Sequence, residues 1–253
     1  MTTMEPGDWT EAIPAADLAE KGRAVVKLDG KQILLWQNGE NIYACNNRCP
    51  HEGYPLAEGT MADGCVLTCN WHNWKFDLES GETLVGGDAL RLYPVRCENG
   101  AVLLDLTDPP AEELRAKALD GLREAFREHD YERMAREVAR FERAGGEARE
   151  ILNHAFAWAA ERFEFGMTHA QAGAPDWLAL RDRLSEQDPE HMIPVVEIVG
   201  HLSWDALMQP GPFPFPDGEA ERFDPDALEQ AIEREDEREA LAQTRAGLRD
   251  GGP

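Results

Sequence analysis

The chain has 253 residues, with 49 acidic and 25 basic side chains, which give a formal net charge of −24 at pH 7. Hydrophobic residues make up 42% of the chain, so it can bury a core and is not expected to be disordered. The negative charge argues against nucleic acid and membrane partners, because nucleic acids and anionic lipid surfaces carry the same sign of charge.

The N-terminal segment and the cysteine count indicate the compartment. Residues 1–22 lack the basic and apolar segments of a secretory signal. No stretch approaches the roughly 18 consecutive apolar residues of a membrane span. We therefore expect a soluble, cytoplasmic protein. Five cysteines fit poorly with a disulfide framework, so clustered Cys and His indicate metal ligands in a reducing compartment.

Short strands separated by turns are predicted up to residue 108. Runs rich in Val, Ile, Leu and Tyr alternate with turn residues, and the predicted strands are 24–28, 32–37, 41–45, 66–68, 90–95 and 101–106. Asp29-Gly30 and Asn99-Gly100 lie between such runs and predict two tight hairpins. This pattern predicts an all-β domain over residues 1–108.

The hydrophobic period changes after Asp108-Pro109-Pro110, so an all-α domain is predicted over residues 109–253. Apolar residues recur at helical spacing from Leu114 onward. Further helices are predicted at 131–144, 147–165, 175–185, 189–208 and 225–249, the last of them highly charged. The Pro-rich residues 209–216 predict an irregular connector. The expected fold class is thus two domains, all-β followed by all-α.

Two pairs of metal-ligand residues lie in the β-domain. Cys49-Pro50-His51 is followed, after seventeen residues, by Cys69-Asn70-Trp71-His72. Each pair follows a predicted strand and therefore lies on a loop. Two thiolates and two imidazoles can bind zinc as a tetrahedron, or a [2Fe–2S] cluster with both Cys on one iron and both His on the other. A second possible zinc site consists of two Cys-x3-Cys pairs, which are Cys45 with Cys49 and Cys65 with Cys69.

The segment 47–106 resembles the Rieske [2Fe–2S] domain. It contains NRCPHEGYPL, CNWHNWKFDLESGE and LRLYPVRCENGAVLLDL, where the family carries Cys-Pro-His-x-Gly and Cys-x-x-His-Gly-Trp-x-Phe. The resemblance implies an all-β Rieske fold and a [2Fe–2S] cofactor, with Cys49 and Cys69 on one iron and His51 and His72 on the other. Asn73 departs from the family's Gly, but Asn tolerates positive φ, so we expect the loop to form.

The resemblance also implies the kind of Rieske centre. High-potential members carry a disulfide over the cluster, whereas Tyr54 and Trp71 occupy those positions here. We expect a reduction potential near the low end of the Rieske range, on the order of −150 mV. The implied function is one-electron transfer from a flavin or ferredoxin reductase to an oxygenase or reductase. A small-subunit role beside a sirohaem nitrite reductase is a further alternative.

The helical domain offers candidates for a second metal site, which would make the chain a self-contained oxidoreductase or oxygenase. Facing helices that bear Glu and His can bind iron. The candidates are three residues on one face of a continuous helix and an i, i+4 pair on the next: His154, Glu161 and His169, then Glu197 and His201. They can equally be ordinary boundary residues. The usual oxygenase pattern Asp-x2-His-x4-His is incomplete, because residue 196, at the position of its second histidine, is Val.

Overall fold

The computed structural model describes residues 9–62, 64–163, 166, 168–185, 187–209 and 211–251. Contacts between Cα atoms divide the chain into two compact units. The first unit reaches Ala125 and resumes over Asp130–Glu147, and the second holds Phe126–His129 and continues from Ala148. In the described residues the predicted fold class is confirmed, with a β-sheet part followed by helices.

Antiparallel strands build three small sheets in the described part of the first unit. The strands are β1 (Trp9–Pro14), β2 (Arg23–Leu28), β3 (Lys31–Asn38), β4 (Asn41–Asn46), β5 (Thr60–Met61), β6 (Val66–Thr68), β7 (Lys75–Asp77), β8 (Thr83–Val85), β9 (Val95–Glu98) and β10 (Ala101–Asp105). The sheet orders are β1-β10-β9, β2-β3-β4 and β5-β6-β7-β8. Helix α1 (Ala15–Lys21) and a short 3₁₀ helix, Leu56–Glu58, complete this β-part.

The two predicted hairpins are present, between β2 and β3 and between β9 and β10. Asp29 and Gly30 have φ of 46° and 70°, and Asn99 and Gly100 have φ of 51° and 80°. Positive φ at both turn residues is the geometry whose twist matches that of paired strands, and Asx-Gly sequences favour it. These local turns therefore set the register of both strand pairs.

Strand β3 is buried on both of its faces. Leu34 belongs to a core cluster beneath the Cys/His loops, together with Leu56, Leu67 and Phe76. The neighbouring Ile33 and Leu35 face a second cluster; its other large members are Leu18, Tyr93, Val102 and Leu104. Because successive strand residues point to opposite faces, one apolar run serves both cores. The Cys/His loops thus rest on a fully packed floor.

Two helices belong largely to the first unit, α2 (Ala111–Glu128) and α3 (Tyr131–Arg143). Asp130 caps α3, since its side chain accepts a hydrogen bond of 3.0 Å from the Arg133 backbone N–H. The predicted boundary at residue 108 assigns both helices to the helical domain, whereas α3 and most of α2 group with the sheets by contact. The physical reason is a set of ion pairs between α3 and the loop after β8, described below.

The second unit is a helical assembly centred on α6 (Ile193–Leu207), whose apolar face is almost entirely buried. Helices α4 (Ala148–Ala160) and α5 (His169–Arg181) pack against it. Pro189–Met192 forms a 3₁₀ turn before α6, and α7 (Pro225–Glu233) pairs with α8 (Glu237–Arg249). None of the helices in the described part of the chain combines the length and hydropathy of a membrane-crossing segment.

Several predicted boundaries are wrong. The helix predicted at 147–165 ends at Ala160, and the one predicted at 175–185 begins six residues earlier with Pro175 inside it. The predicted C-terminal helix is broken in two, because Glu235 has φ of 55° and Asp236 caps a new helix. Most of the predicted strand 90–95 is irregular, and only its last residue opens β9. The described residues of 209–216 form no helix or strand.

Candidate metal centre

The first Cys/His pair lies on the loop between β4 and the 3₁₀ helix. The Gly53 N–H donates to the Cys49 carbonyl at 2.8 Å, and the Cys49 N–H donates to the Tyr54 carbonyl at 2.9 Å. These bonds close a tight loop that holds His51 at its tip. Gly53 has φ of 76°, a conformation that L side chains rarely adopt, which explains the glycine.

The second pair lies between β6 and β7 on a loop of the same construction. The Asn73 N–H donates to the Cys69 carbonyl at 2.9 Å, and the Cys69 N–H donates to the Trp74 carbonyl at 2.8 Å. Asn73 therefore occupies the place that Gly53 has in the first loop, and its φ is 59°. The expectation that Asn would allow this loop is confirmed, because Asn is among the residues that reach positive φ most readily.

Both candidate ligand thiols are buried. Cys49 is 4% exposed and Cys69 is fully buried. Burial, followed by the neighbouring Cys69 thiol, raises the pKa of Cys49 to about 11. A thiol with such a pKa is neutral near pH 7 unless a metal displaces its proton, as cysteine ligation requires. The pair is thus dry and suited to a metal that bonds strongly to sulfur.

The two imidazoles form a separate pair at the loop tips. The Nδ1 atoms of His51 and His72 face each other at 3.1 Å. The His51 side chain is 16% exposed and the His72 side chain 39%. Glutamates lie near both rings, with Glu52 Oε2 at 4.0 Å from His72 Nδ1 and Glu132 Oε2 at 3.9 Å from His51 Nε2. The 3.1 Å between the two Nδ1 atoms is short enough for both imidazoles to bind one metal ion.

The separation of thiols and imidazoles favours two metal ions over one. Among the residues that the structure describes, the one group of three candidate ligand atoms within 4.8 Å is His51, Glu52 and His72, and neither thiol belongs to it. A single zinc would need all four donors around one point. A [2Fe–2S] cluster needs a thiolate pair on one iron and an imidazole pair on the other, which this donor set fits.

The alternative zinc site of four cysteines is not assembled in the described residues. Cys45 is buried in the core, and the Cys65 thiol faces Asp77, with Sγ at 3.8 Å from Oδ1. No group of three or more candidate ligands in the described ranges includes either cysteine. The fifth cysteine, Cys97, is exposed on β9.

Aromatic rings flank both imidazoles. The Trp74 ring stacks on His51 with centroids 4.6 Å apart and planes 13° apart. The Trp71 ring stacks on His72 at 4.7 Å and 23°, but it remains 53% exposed. Phe76 is fully buried below the loops. The apolar cover of the site is therefore deep on the side of the thiols and incomplete at the imidazole tip.

Helix α3 reaches the candidate site, which the sequence analysis missed. Glu132 in its first turn approaches His51, and Arg136 lies over Trp74 with Cζ 5.9 Å from the ring centroid. Arg136 also binds the buried Asp88. No local motif connects these residues, which are 16 to 87 positions from the ligands in sequence. The available signal was the arginine spacing of the predicted helix 131–144, which places Arg133, Arg136 and Arg140 on one face.

The candidates for a second metal are dispersed. Helix α4 ends before Glu161, and His169 begins α5, so the continuous helix expected to align them with His154 does not exist. Glu197 and His201 do approach each other, with Oε2 3.6 Å from Nε2, on the exposed side of α6. Within the described residues, none of these five belongs to a group of three candidate ligands.

Comparisons with known proteins agree with the geometry. A family profile described as the Rieske [2Fe-2S] domain matches residues 8–91. Over 101 residues the chain is 31% identical to the naphthalene 1,2-dioxygenase system ferredoxin component of Pseudomonas putida, covering 39% of this chain and 96% of that protein. Over 99 residues it is 34% identical to the 3-phenylpropionate/cinnamic acid dioxygenase ferredoxin subunit of Escherichia coli (strain K12), covering 38% and 92%.

The solved structures that resemble the chain include an oxygenase. The terminal oxygenase of carbazole 1,9a-dioxygenase from Nocardioides aromaticivorans IC177 is 26% identical to it, with a TM-score of 0.37. The similar region covers 40% of this chain and 30% of that oxygenase. The chain thus spans less than a third of the oxygenase but nearly the whole length of the ferredoxins.

Proposed function

Because the chain belongs to the Rieske [2Fe-2S] family, we propose that it is a one-electron carrier that delivers electrons to an oxygenase. A Rieske domain binds a [2Fe–2S] cluster, which supplies the redox chemistry. The observation that carries the proposal is the paired arrangement of the two buried thiols and the two imidazoles. The similarity to dioxygenase ferredoxins, which spans nearly the whole length of those ferredoxins, supports an oxygenase as the electron acceptor.

We assign Cys49 and Cys69 as the ligands of the buried iron and His51 and His72 as those of the outer iron. The assignment follows exposure, since the thiols are in the core and the imidazoles at the loop tips. An electron carrier must exclude water from its redox group and still bring one edge close to its partner. The imidazole pair supplies that edge, and the apolar floor excludes water beneath it.

A low potential, as in ferredoxins and oxygenases, is the proposal for this centre. Hydroxyl groups could donate hydrogen bonds to the cluster sulfurs, but Asn73 carries no hydroxyl. The Tyr54 hydroxyl donates instead to Glu58, with the two oxygens 2.9 Å apart. Fewer donors toward the cluster sulfurs favour the oxidised state. An electron source of comparable potential is then needed, and a flavin or ferredoxin reductase is the proposed donor.

The proposal is tested by stopped-flow mixing. The iron-loaded protein is reduced with one equivalent of photoreduced flavin and mixed anaerobically with the oxidised oxygenase component of a dioxygenase. We expect uptake of one electron per chain and reoxidation at a rate that rises with oxygenase concentration. Cys49→Ser and His72→Ala chains, purified in the same way, serve as controls and should carry no electron. A protein that takes up no electron would contradict the proposal.

The alternative of a self-contained oxygenase has weaker support. In the described residues it rests on Glu197 and His201 alone, and a mononuclear oxygenase iron needs at least one further protein ligand. Metal analysis distinguishes the two functions. A carrier should contain two irons per chain, whereas an oxygenase should contain additional iron that is lost in His201→Ala while the visible spectrum of the cluster is retained.

A further inference from the structure

Three arginines of helix α3 converge on one buried carboxylate. The Asp88 side chain is fully buried, and its Oδ2 lies 2.7 Å from Arg136 Nε and 3.2 Å from Arg140 Nη2. Its Oδ1 lies 3.4 Å from Arg133 Nε. Arg140 also donates to Glu137 at 2.7 Å, which gives this buried acid a partner on the same helix. The loop after β8 and helix α3 are therefore joined by a charged network.

The same loop touches a tryptophan of the cluster site. Gly86, at φ of 130°, lies so close to Trp74 that a Cβ there would collide with the ring. A Cβ on Gly87 would lie 3.3 Å from Arg133 Cδ. The loop therefore contacts both Trp74 and α3, and at Gly86 there is no room for a side chain. Because Trp74 has a glycine backbone on one side and Arg136 above it, its ring has little freedom to move.

Trp74 carries this constraint to a candidate iron ligand. The rings of Trp74 and His51 are stacked, so Arg136, Trp74 and His51 form a continuous series of contacts. From the same helix, Glu132 faces the outer nitrogen of His51 at 3.9 Å, which is too long for a hydrogen bond but close for a charge. Helix α3 thus places an anion beside the His51 imidazole and a cation over the tryptophan that stacks on it.

We propose that helix α3 is a working part of the cluster site, in which Arg136, anchored by Asp88, and Glu132 act through His51 to set the reduction potential. The inference rests on the proposed function, because it requires the cluster and its His51 ligand. Both residues are positioning residues, since Glu132 faces the proposed ligand His51 and Arg136 contacts Trp74, and neither is a proposed ligand itself. The profile match ends at residue 91, so these residues lie outside the matched domain.

The two charges should act with opposite sign. A reduced cluster carries one more negative charge than an oxidised one. A nearby cation stabilises the reduced state and a nearby anion destabilises it. Arg136→Gln should therefore lower the midpoint potential, and Glu132→Gln should raise it. The midpoint potential of Arg136→Lys, which keeps the charge, should remain closer to that of the unsubstituted chain.

The experiment is a spectroelectrochemical titration of the full chain, with the electron paramagnetic spectrum recorded at the end point. Arg143→Gln is the matched control, because it removes one exposed charge from the same helix about two turns beyond Arg136. We expect opposite shifts for Arg136→Gln and Glu132→Gln and a smaller shift for Arg143→Gln. Unchanged potentials in the first two, or shifts no larger than that of the control, would overturn the inference.

Two readouts keep the outcomes separate. If the unsubstituted chain contains no iron and labile sulfide, the proposed function itself fails. If the unsubstituted chain contains the cluster and the variants have the same midpoint potential, only the inference fails. Should Arg136→Gln not fold, Glu132→Gln decides alone, because its side chain is 75% exposed and its loss leaves the core intact. An unchanged potential in that variant overturns the proposal.

Discussion

Asn73 shows how one residue can preserve a loop that normally uses glycine. Its φ of 59° matches the 76° of Gly53 in the other loop, and its backbone makes the equivalent hydrogen bond. The side chain is exposed, so nothing in the core depends on it. What the loop requires is the left-handed backbone conformation, which Asn supplies at a small energetic cost.

Substitutions at Asn73 test this requirement. Asn73→Gly should retain the cluster and the free energy of unfolding, because glycine adopts positive φ without strain. Asn73→Val should lower the free energy of unfolding by about 1–2 kcal/mol, the cost of placing a β-branched residue in the left-handed region. Urea unfolding and the visible absorbance per chain measure both effects. Equal stability of the Gly and Val variants would contradict this explanation.

The buried thiol of Cys45 should lower the free energy of unfolding at alkaline pH. Burial raises the pKa of this thiol to about 12 in the folded chain, against 9.0 for the free thiol. An unfolded chain therefore loses the proton first, so stability is complete below pH 9 and declines as the pH rises toward 12. At pH 10 the decline from this thiol should be about 1.4 kcal/mol.

The measurement is the free energy of unfolding at pH 7.5 and pH 10 for the unsubstituted chain and for Cys45→Ala. The Ala variant starts lower, because a buried side chain is truncated, but it should lose less stability between the two pH values. Other alkaline groups titrate equally in both chains and cancel in the comparison. An identical pH dependence in the two chains would show that Cys45 is not the cause.

The four ligand residues could be predicted from sequence because the chemistry is local. Each Cys/His pair lies within four consecutive residues, and the loop geometry follows from its own backbone hydrogen bonds. Glu132, Arg136 and Asp88 could not be predicted in the same way. Their proximity to His51 depends on how α3 packs on the sheets, which no short motif records.

At the level of elements, strands with enough residues to show alternation were predictable. Strands β2, β3 and β4 have six to eight residues and are joined by Gly-containing turns, so pattern and turn agree. Strands β5, β7 and β8 have two or three residues and show no period of their own. They form because neighbouring strands pair with them. Helix α5 begins six residues before its predicted start, because the Ala-rich residues that precede Pro175 are already helical.

The contact between α3 and the β-part yields a stability prediction. Asp88→Asn removes the charge that three arginines share, and breaking a buried pair from one side costs about 3–5 kcal/mol. The partial exposure of the arginines should place the loss at the lower end of that range. Chemical denaturation measures it, with Asp120→Asn on the exposed face of α2 as control. Similar stability of the two variants would contradict the anchoring role of Asp88.

On the scale of the whole molecule, the domain division remains a prediction to be tested. The sequence predicts a cluster domain that ends at residue 108, where the period of the apolar residues changes. Contacts group residues up to Ala125 and Asp130–Glu147 with the sheets. The difference arises because periodicity identifies the type of an element but not the surface against which it packs.

Truncated chains separate these two boundaries. A chain of residues 1–147 keeps Asp88 paired with α3 and should retain the cluster with the potential of the full chain. A chain of residues 1–108 loses the arginine partners and should bind the cluster less stably, with faster bleaching in air. Bleaching is followed by visible absorbance. Equal lifetimes in the two truncated chains would support the boundary at residue 108 instead.

The most direct test of the whole account is the iron and labile sulfide content of the purified chain, combined with its electron paramagnetic spectrum after reduction. The account predicts two irons and two sulfides per chain and an iron–sulfur signal in the reduced state, which is lost or altered in Cys69→Ser and in His51→Ala. Bound zinc in place of iron, or an unaltered cluster signal in either variant, would contradict it.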